Sequence, residues 1–244
     1  MGKYEQSKLS RSLRKLQSAK SWNGLEQAFS GIRDIYEFNH LTFLSVRNPG
    51  TGNSSPVYCT TYPEEWTAHY VVNDYFSVDP VVQVHKTDLL PVDWSSLDRT
   101  SKPIKNLFRE ANSLGVGRHG LTVPVRGPSG ERSLFSATSD RSRREWTYLK
   151  TRSKPDLILI SHYMHERFVD VLEARNHDFR HLSRRERQCL QMLAQGVVPK
   201  RIASSLHLSE SAVRLYISTA RRKLRAATVY QAIARATCCD MIDI

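Results

Sequence analysis

Leu9, Leu13 and Leu16 recur at i, i+4 and i+7 among Lys, Arg, Ser and Gln residues. That spacing predicts a short basic amphipathic helix over 4–20. Trp22, Leu25, Ala28, Phe29, Ile32 and Ile35 predict a second helix over 22–37. The period then changes. Leu41, Phe43 and Ser45 fall on one side of His40–Val46, and Thr42, Leu44 and Val46 on the other, which is the alternation of a strand. A Gly/Ser/Pro turn over 48–56 leads to another strand over 57–61. Pro63 opens a helix on which Tyr62, Trp66 and Tyr70 recur every fourth residue, and Asp79–Pro80 follows a short break. A loop at Asp93–Trp94 precedes a helix over 102–114. Leu121–Arg126 and Arg132–Thr138 flank Gly127-Pro-Ser-Gly130 as a hairpin with a four-residue turn. Residues 142–175 return to helical spacing through Leu157, Ile160, Tyr163, Met164, Phe168, Val169 and Leu172, with a break expected near Pro155. After the polar stretch 176–181 come three short helices over 184–195, 199–206 and 210–225, and a fourth over 228–238.

Charge divides the chain of 244 residues in the same places. Residues 1–20 hold 6 Lys/Arg and 1 Asp/Glu, residues 181–244 hold 11 and 4, and residues 21–180 hold 19 of each. A neutral middle between basic ends favours a polyanion partner at the ends and an uncharged one in the middle. The cysteines, Cys59, Cys189, Cys238 and Cys239, fit no zinc spacing, and Cys189 lies on an apolar helix face. They read as reduced thiols of a cytoplasmic protein with no metal site. No apolar run approaches the roughly 20 residues that span a bilayer, and the N-terminus lacks the apolar core of a signal peptide.

Two stretches carry candidate chemistry. In the C-terminal one, Val213, Ile217, Ala220 and Leu224 form an apolar stripe, and Arg214, Tyr216, Ser218, Arg221, Arg222 and Lys223 lie off it. Gly196 ends the first short helix, Pro199 starts the second, and Ser209 is placed to cap the third. Two helices and a turn feeding a basic helix are the layout of a helix-turn-helix, whose cations meet phosphates and whose polar side chains meet base edges. The bland alternative is a small bundle with a solvated basic face. In the middle stretch, the three aromatics of 62–70 could line an apolar cavity while offering polar tips, with Asp79 as a buried acceptor. Equally, the aromatics could be plain core and Asp79 a helix cap. Gly115, Gly117 and Gly120 have the G-x-G-x-x-G spacing but precede a β-rich run rather than opening a helix, which excludes a dinucleotide site.

The C-terminal segment resembles the DNA-binding domain of LuxR-type transcription regulators. The matching positions are Leu182–Ser183, Glu186, Leu190, Gly196, Ile202–Ala203, Ser209, Val213 and Lys223–Leu224. It departs from the family pattern at Val197–Val198, Arg201, Ala212 and Tyr216, which bears on the target site more than on the fold. Trp66, Tyr70, Asp79, Pro80, Trp94 and Gly120 stand in the order and spacing of the same family's signal-binding domain, and Tyr62 matches a further pocket tyrosine.

The resemblance implies an α+β chain. An α-β-α sandwich over 1–175 would bind an N-acyl-homoserine lactone, 176–181 would be a linker, and 182–244 an all-α helix-turn-helix domain. Trp66 would donate to the lactone carbonyl, Asp79 accept from the ligand amide, Tyr62 donate to the acyl carbonyl and Ser136 add a hydroxyl. Tyr70 and Trp94 would be walls. Lys200, Ser209, Arg214, Tyr216, Ser218, Arg221, Arg222 and Lys223 would face DNA, with Arg184 and Arg185 near the backbone. The long helix and the last helix would serve a homodimer. The expected function is a quorum-sensing transcription regulator that needs no cofactor besides its ligand. The alternatives are an orphan regulator answering another ligand or none, and an inhibitory partner that heterodimerises with a related regulator. An enzyme is not expected, because no Ser/His/Asp, Cys/His or metal-ligand arrangement is present.

Overall fold

The computed structural model describes residues 7–47, 56–128, 130–175, 182–239 and 241–243. The turn expected over 48–56, apart from Pro56, and the linker over 176–181 lie outside the described residues, as does Ser129 of the hairpin turn. The chain divides near residue 172 into two compact units.

In the first unit, α1 (Lys8–Ser18) and α2 (Trp22–Tyr36) each begin at a serine whose hydroxyl accepts a first-turn amide, Ser7 and Ser21. Then follow β1 (His40–Arg47), β2 (Val57–Thr60), α3 (Glu64–Val72), α4 (Pro80–Thr87), β3 (Val92–Asp93), α5 (Lys102–Ser113), β4 (His119–Arg126), β5 (Arg132–Ser139) and α6 (Arg143–Arg175). The strands form one sheet in the order β2-β1-β5-β4-β3. The β4–β5 hairpin sets Leu121 opposite Ala137, Thr122 opposite Ser136 and Val123 opposite Phe135.

Because strand side chains alternate, this register sorts the residues by face. Leu41, Phe43, Leu121, Val123, Phe135 and Ala137 join Leu16, Leu25, Phe29 and Ile32 of α1–α2 and Leu157, Ile160, Met164 and Phe168 of α6 in one core. Thr42, Leu44, Thr122, Leu134 and Ser136 lie on the alternate positions, toward α3–α5. The result is an α-β-α sandwich. The basic helix α1 packs on its own unit through Leu16, with Leu9 and Leu13 at its margin.

The break expected at Pro155 is absent: α6 runs unbroken through it. Proline inside a helix costs about 3 kcal/mol. Here Trp146 and Ser153 before it, and Leu157, Ile160 and Met164 after it, are all buried. Burying each large side chain contributes roughly 1.5–3 kcal/mol, so packing of both halves on one core outweighs the local penalty.

The second unit contains α7 (Arg184–Ala194), α8 (Pro199–Leu206), α9 (Glu210–Lys223) and α10 (Val229–Cys238). Ser183 and Glu186 form a reciprocal capping box at the start of α7. Gly196 ends its turn at φ 82°. Cys189, Ile202, Ala203, Val213 and Ile217 make one small core, and Leu190, Ala220, Leu224, Ala232 and Ala236 another. Cys189 is a core residue, as its helical face requires.

Candidate functional site

A cavity of about 470 Å³ lies between α3–α5 and the sheet face opposite the main core. Tyr62, Trp66, Tyr70, Asp79, Trp94 and Ser136 all line it. Pro63 caps α3, and Tyr62, just ahead of it, meets Trp66 and Tyr70 of the helix at the cavity. Asp79 does both things its sequence allowed. One carboxylate oxygen caps α4 by accepting from the Val81 amide at 2.8 Å, and the other accepts from the Tyr70 hydroxyl at 2.9 Å. Burial pushes its pKa up to about 6, although the Val81 amide and the Tyr70 hydroxyl pull the other way. Burial likewise pushes the Tyr62 and Tyr70 hydroxyls up, so both remain protonated donors at neutral pH.

The other wall is set by the sheet. The Trp94 indole donates to Thr122 Oγ1 at 2.8 Å, and Thr122 is bonded to Ser136 Oγ at 2.8 Å. Thr122 accepts from the indole, and either hydroxyl of the Thr122–Ser136 pair can supply the hydrogen between them. The Arg99 guanidinium donates to the Trp94 carbonyl at 2.7 Å and lies 3.7 Å from the centre of the Phe108 ring. Thr42 lines the cavity with Tyr62 and is hydrogen-bonded to Thr60 at 2.6 Å. Trp66 stacks on Tyr75, whose hydroxyl donates to Glu110, and His69 meets the same carboxylate at 2.8 Å. Among the described residues the Trp66 indole N–H meets no acceptor. Thr42, which lines the cavity, and Thr122, which lies behind Trp94 and Ser136, were not singled out in the sequence, because only the strand register brings them there.

In the second unit, Lys200, Arg214, Ser218, Arg221 and Arg222 are exposed. Arg214 pairs with Glu210 at 2.7 Å. Ser209 is exposed but occupied as the cap of α9, accepting from Ala212. Tyr216 is half-buried against the Cys189 core. Lys223 corrects the sequence reading: it does not stand on the exposed basic face. Its ammonium reaches the buried Glu186 at 2.7 Å. Burial alone would raise the Glu186 carboxyl, but the Lys223 charge and the Ser183 groups hold it below the usual range. Tyr216 and Lys223 stand on the flank of α9 that meets α7, through the Cys189 core and Glu186, so a simple two-sided reading of the helix misplaced them.

Among the described residues no three His, Cys, Asp or Glu side chains are placed to hold a metal ion. No described helix is long and apolar enough to cross a membrane.

Residues 23–168 match the family of autoinducer binding domains, and residues 180–236 match the bacterial regulatory proteins of the luxR family. The transcriptional activator protein RaiR of Rhizobium etli is 43% identical over 194 residues, 78% of this chain and 80% of that protein. The transcriptional activator protein VanR of Vibrio anguillarum is 27% identical over 231 residues, 94% of this chain and 95% of that one. In fold, the chain is similar to SdiA solved in complex with octanoyl-rac-glycerol, with a TM-score of 0.76 at 19% identity over 100% of this chain and 99% of that one. The chain belongs to the LuxR family of quorum-sensing transcription regulators, with an autoinducer-binding domain and a C-terminal helix-turn-helix. It is a regulator, not an enzyme.

Proposed function

We propose that this regulator binds an N-acyl-homoserine lactone in the cavity of its first unit and duplex DNA through α9, as a homodimer in the cytoplasm. In this reading residues 1–175 form the signal domain, 176–181 the linker and 182–244 the DNA-binding domain. The observation that carries it is the convergence of six side chains on one apolar cavity with a particular set of polar atoms. A lactone of this class has one amide donor, two carbonyl acceptors and an apolar tail. Asp79 supplies the acceptor for the amide. Trp66 donates to the lactone carbonyl and Tyr62 to the acyl carbonyl, with Ser136 adding a hydroxyl. Tyr70 holds Asp79 and, with Trp94, walls the head group. Such cavities are mostly apolar with a few placed polar groups.

Lys200, Arg214, Ser218, Arg221 and Arg222 are the candidates for DNA contact. The exposed outer side of α6 and α10 is assigned to the dimer, which would present two copies of α9 to a two-fold site. The test is a thermal melt of the protein against acyl-homoserine lactones of graded chain length. A ligand at about 100 times its dissociation constant adds roughly 2.7 kcal/mol to the folded state. A rise of several degrees with one chain length supports the reading. A well-folded protein that shifts with none of them would sink it and leave the orphan regulator.

A further inference from the structure

The outward pole of α9 carries one side chain that the charge pattern does not explain, and on the DNA-binding reading above we infer that Leu215 recognises thymine through its C5-methyl group. Val213, Ile217 and Ala220 are the buried stripe of α9. With about 100° between successive residues of a helix, Leu215 is turned roughly 190° from the mean direction of those three. With Arg222 two turns on, it stands on the side of the helix furthest from its own core, and it is 66% exposed.

Its neighbours on that pole are Ser211, Ser218 and Arg222, all exposed. The two serines are short, so the leucine projects beyond them. An exposed leucine is unremarkable by itself. Its place is what matters here: an apolar group at the apex of a polar, cationic helix face, flanked by Arg214 and Arg222. Leucine offers no donor to a phosphate and no acceptor to a base edge. The thymine C5-methyl is the apolar group that the major groove presents. A helix seated there with Arg214 and Arg222 toward polar or anionic groups brings Leu215 against the base edges.

The experiment uses the full-length protein and the duplex it selects from a randomised DNA pool, in the presence of whichever lactone stabilises it. Each thymine of the selected site is replaced in turn by deoxyuridine, which removes the methyl alone. The expected result is one position per half-site where deoxyuridine weakens wild-type binding about four-fold, the equivalent of one buried methyl. Leu215→Ala binds the thymine site more weakly and is indifferent to that replacement, while Leu215→Met retains the preference. Unchanged melting curves show that both variants fold. If no thymine is sensitive, or if Leu215→Ala is as sensitive as the wild type, the inference is overturned while DNA binding stands. If no duplex is selected, the DNA-binding reading falls and the inference falls with it.

Discussion

Gly120 lies directly beneath the Trp94 indole, so close that a Cβ on it would come within 2.2 Å of the ring. The strand leaves this space because glycine has no side chain, and the indole fills it on its way to Thr122. The substitution Gly120→Ala would therefore push Trp94 toward the cavity and break the Trp94–Thr122 hydrogen bond. Overpacking of this kind costs about 1–3 kcal/mol. The expected outcome is a lower melting temperature of the signal domain and at least a ten-fold loss of lactone affinity, read by a melt and a ligand titration. Retention of wild-type affinity would show that Trp94 has no part in shaping the ligand site.

Asp79 makes two opposite pH dependences out of one group. Its carboxyl titrates near 6 in the folded protein against an ordinary value of 3.8. Between these values the folded chain holds the proton more tightly than the unfolded one. Stability from this group therefore falls as pH rises from about 4 to 6, and the loss is complete above that. The whole effect is on the order of 3 kcal/mol, at about 1.4 kcal/mol per unit. In the proposed binding mode the carboxylate accepts from the lactone amide, so affinity should instead rise through pH 6. Asp79→Asn keeps an oxygen to cap α4 but does not titrate. Subtracting its stability and affinity profiles from those of the wild type should leave these two opposed steps. Flat differences through pH 4–7 would mean that Asp79 is not the titrating group.

Much of the cavity is legible in the chain because the side built by Tyr62, Trp66, Tyr70 and Asp79 is local. Tyr62, Trp66 and Tyr70 follow from one helix period, and Asp79 from a cap before Pro80. Its far side is not local. Thr122 is an ordinary strand residue until the β4–β5 register sets it against Ser136 and beneath the reach of Trp94. Thr42 becomes part of the site in the same way, through the register that sets it against Thr60. Helix periods also say which side of a helix is apolar, but not how a long side chain at the margin is used. Tyr216 folds back on the Cys189 core and Lys223 on Glu186, whereas the sequence placed both with the exposed residues.

Pro155 is the clearest case of tertiary packing overriding a local signal, and the override predicts a stabilising change. The residue is exposed within α6, so a smaller side chain there leaves the core untouched. Pro155→Ala restores the missing amide donor and relieves the ring's conflict with the preceding turn. The unfolded chain becomes more flexible, which offsets part of the gain. A net increase of about 1–2 kcal/mol is expected in denaturant unfolding of the signal domain. No increase, or a loss, would indicate that the proline ring is itself a packing element.

The Glu186–Lys223 pair allows a test that separates structural charge in the helix-turn-helix from the charge proposed to face DNA. Glu186 is buried, accepts at the cap of α7 and meets the ammonium of Lys223. Glu186→Ala removes both interactions and should cost about 2–3 kcal/mol, less than for a fully buried pair because Lys223 remains partly exposed. Lys223→Gln should destabilise the domain by a smaller amount, since the capping box survives. For DNA the order reverses. Removing one cation from a phosphate lowers the slope of log affinity against log salt by about 0.9. Arg222→Gln, at an exposed position, should reduce the slope by about that amount, while Lys223→Gln should leave it unchanged at a temperature where the domain is folded. A slope reduced by a full unit in the Lys223 variant would mean that the lysine leaves Glu186 to reach the phosphate backbone. An unchanged slope in the Arg222 variant would remove that arginine from the phosphate-facing side of α9.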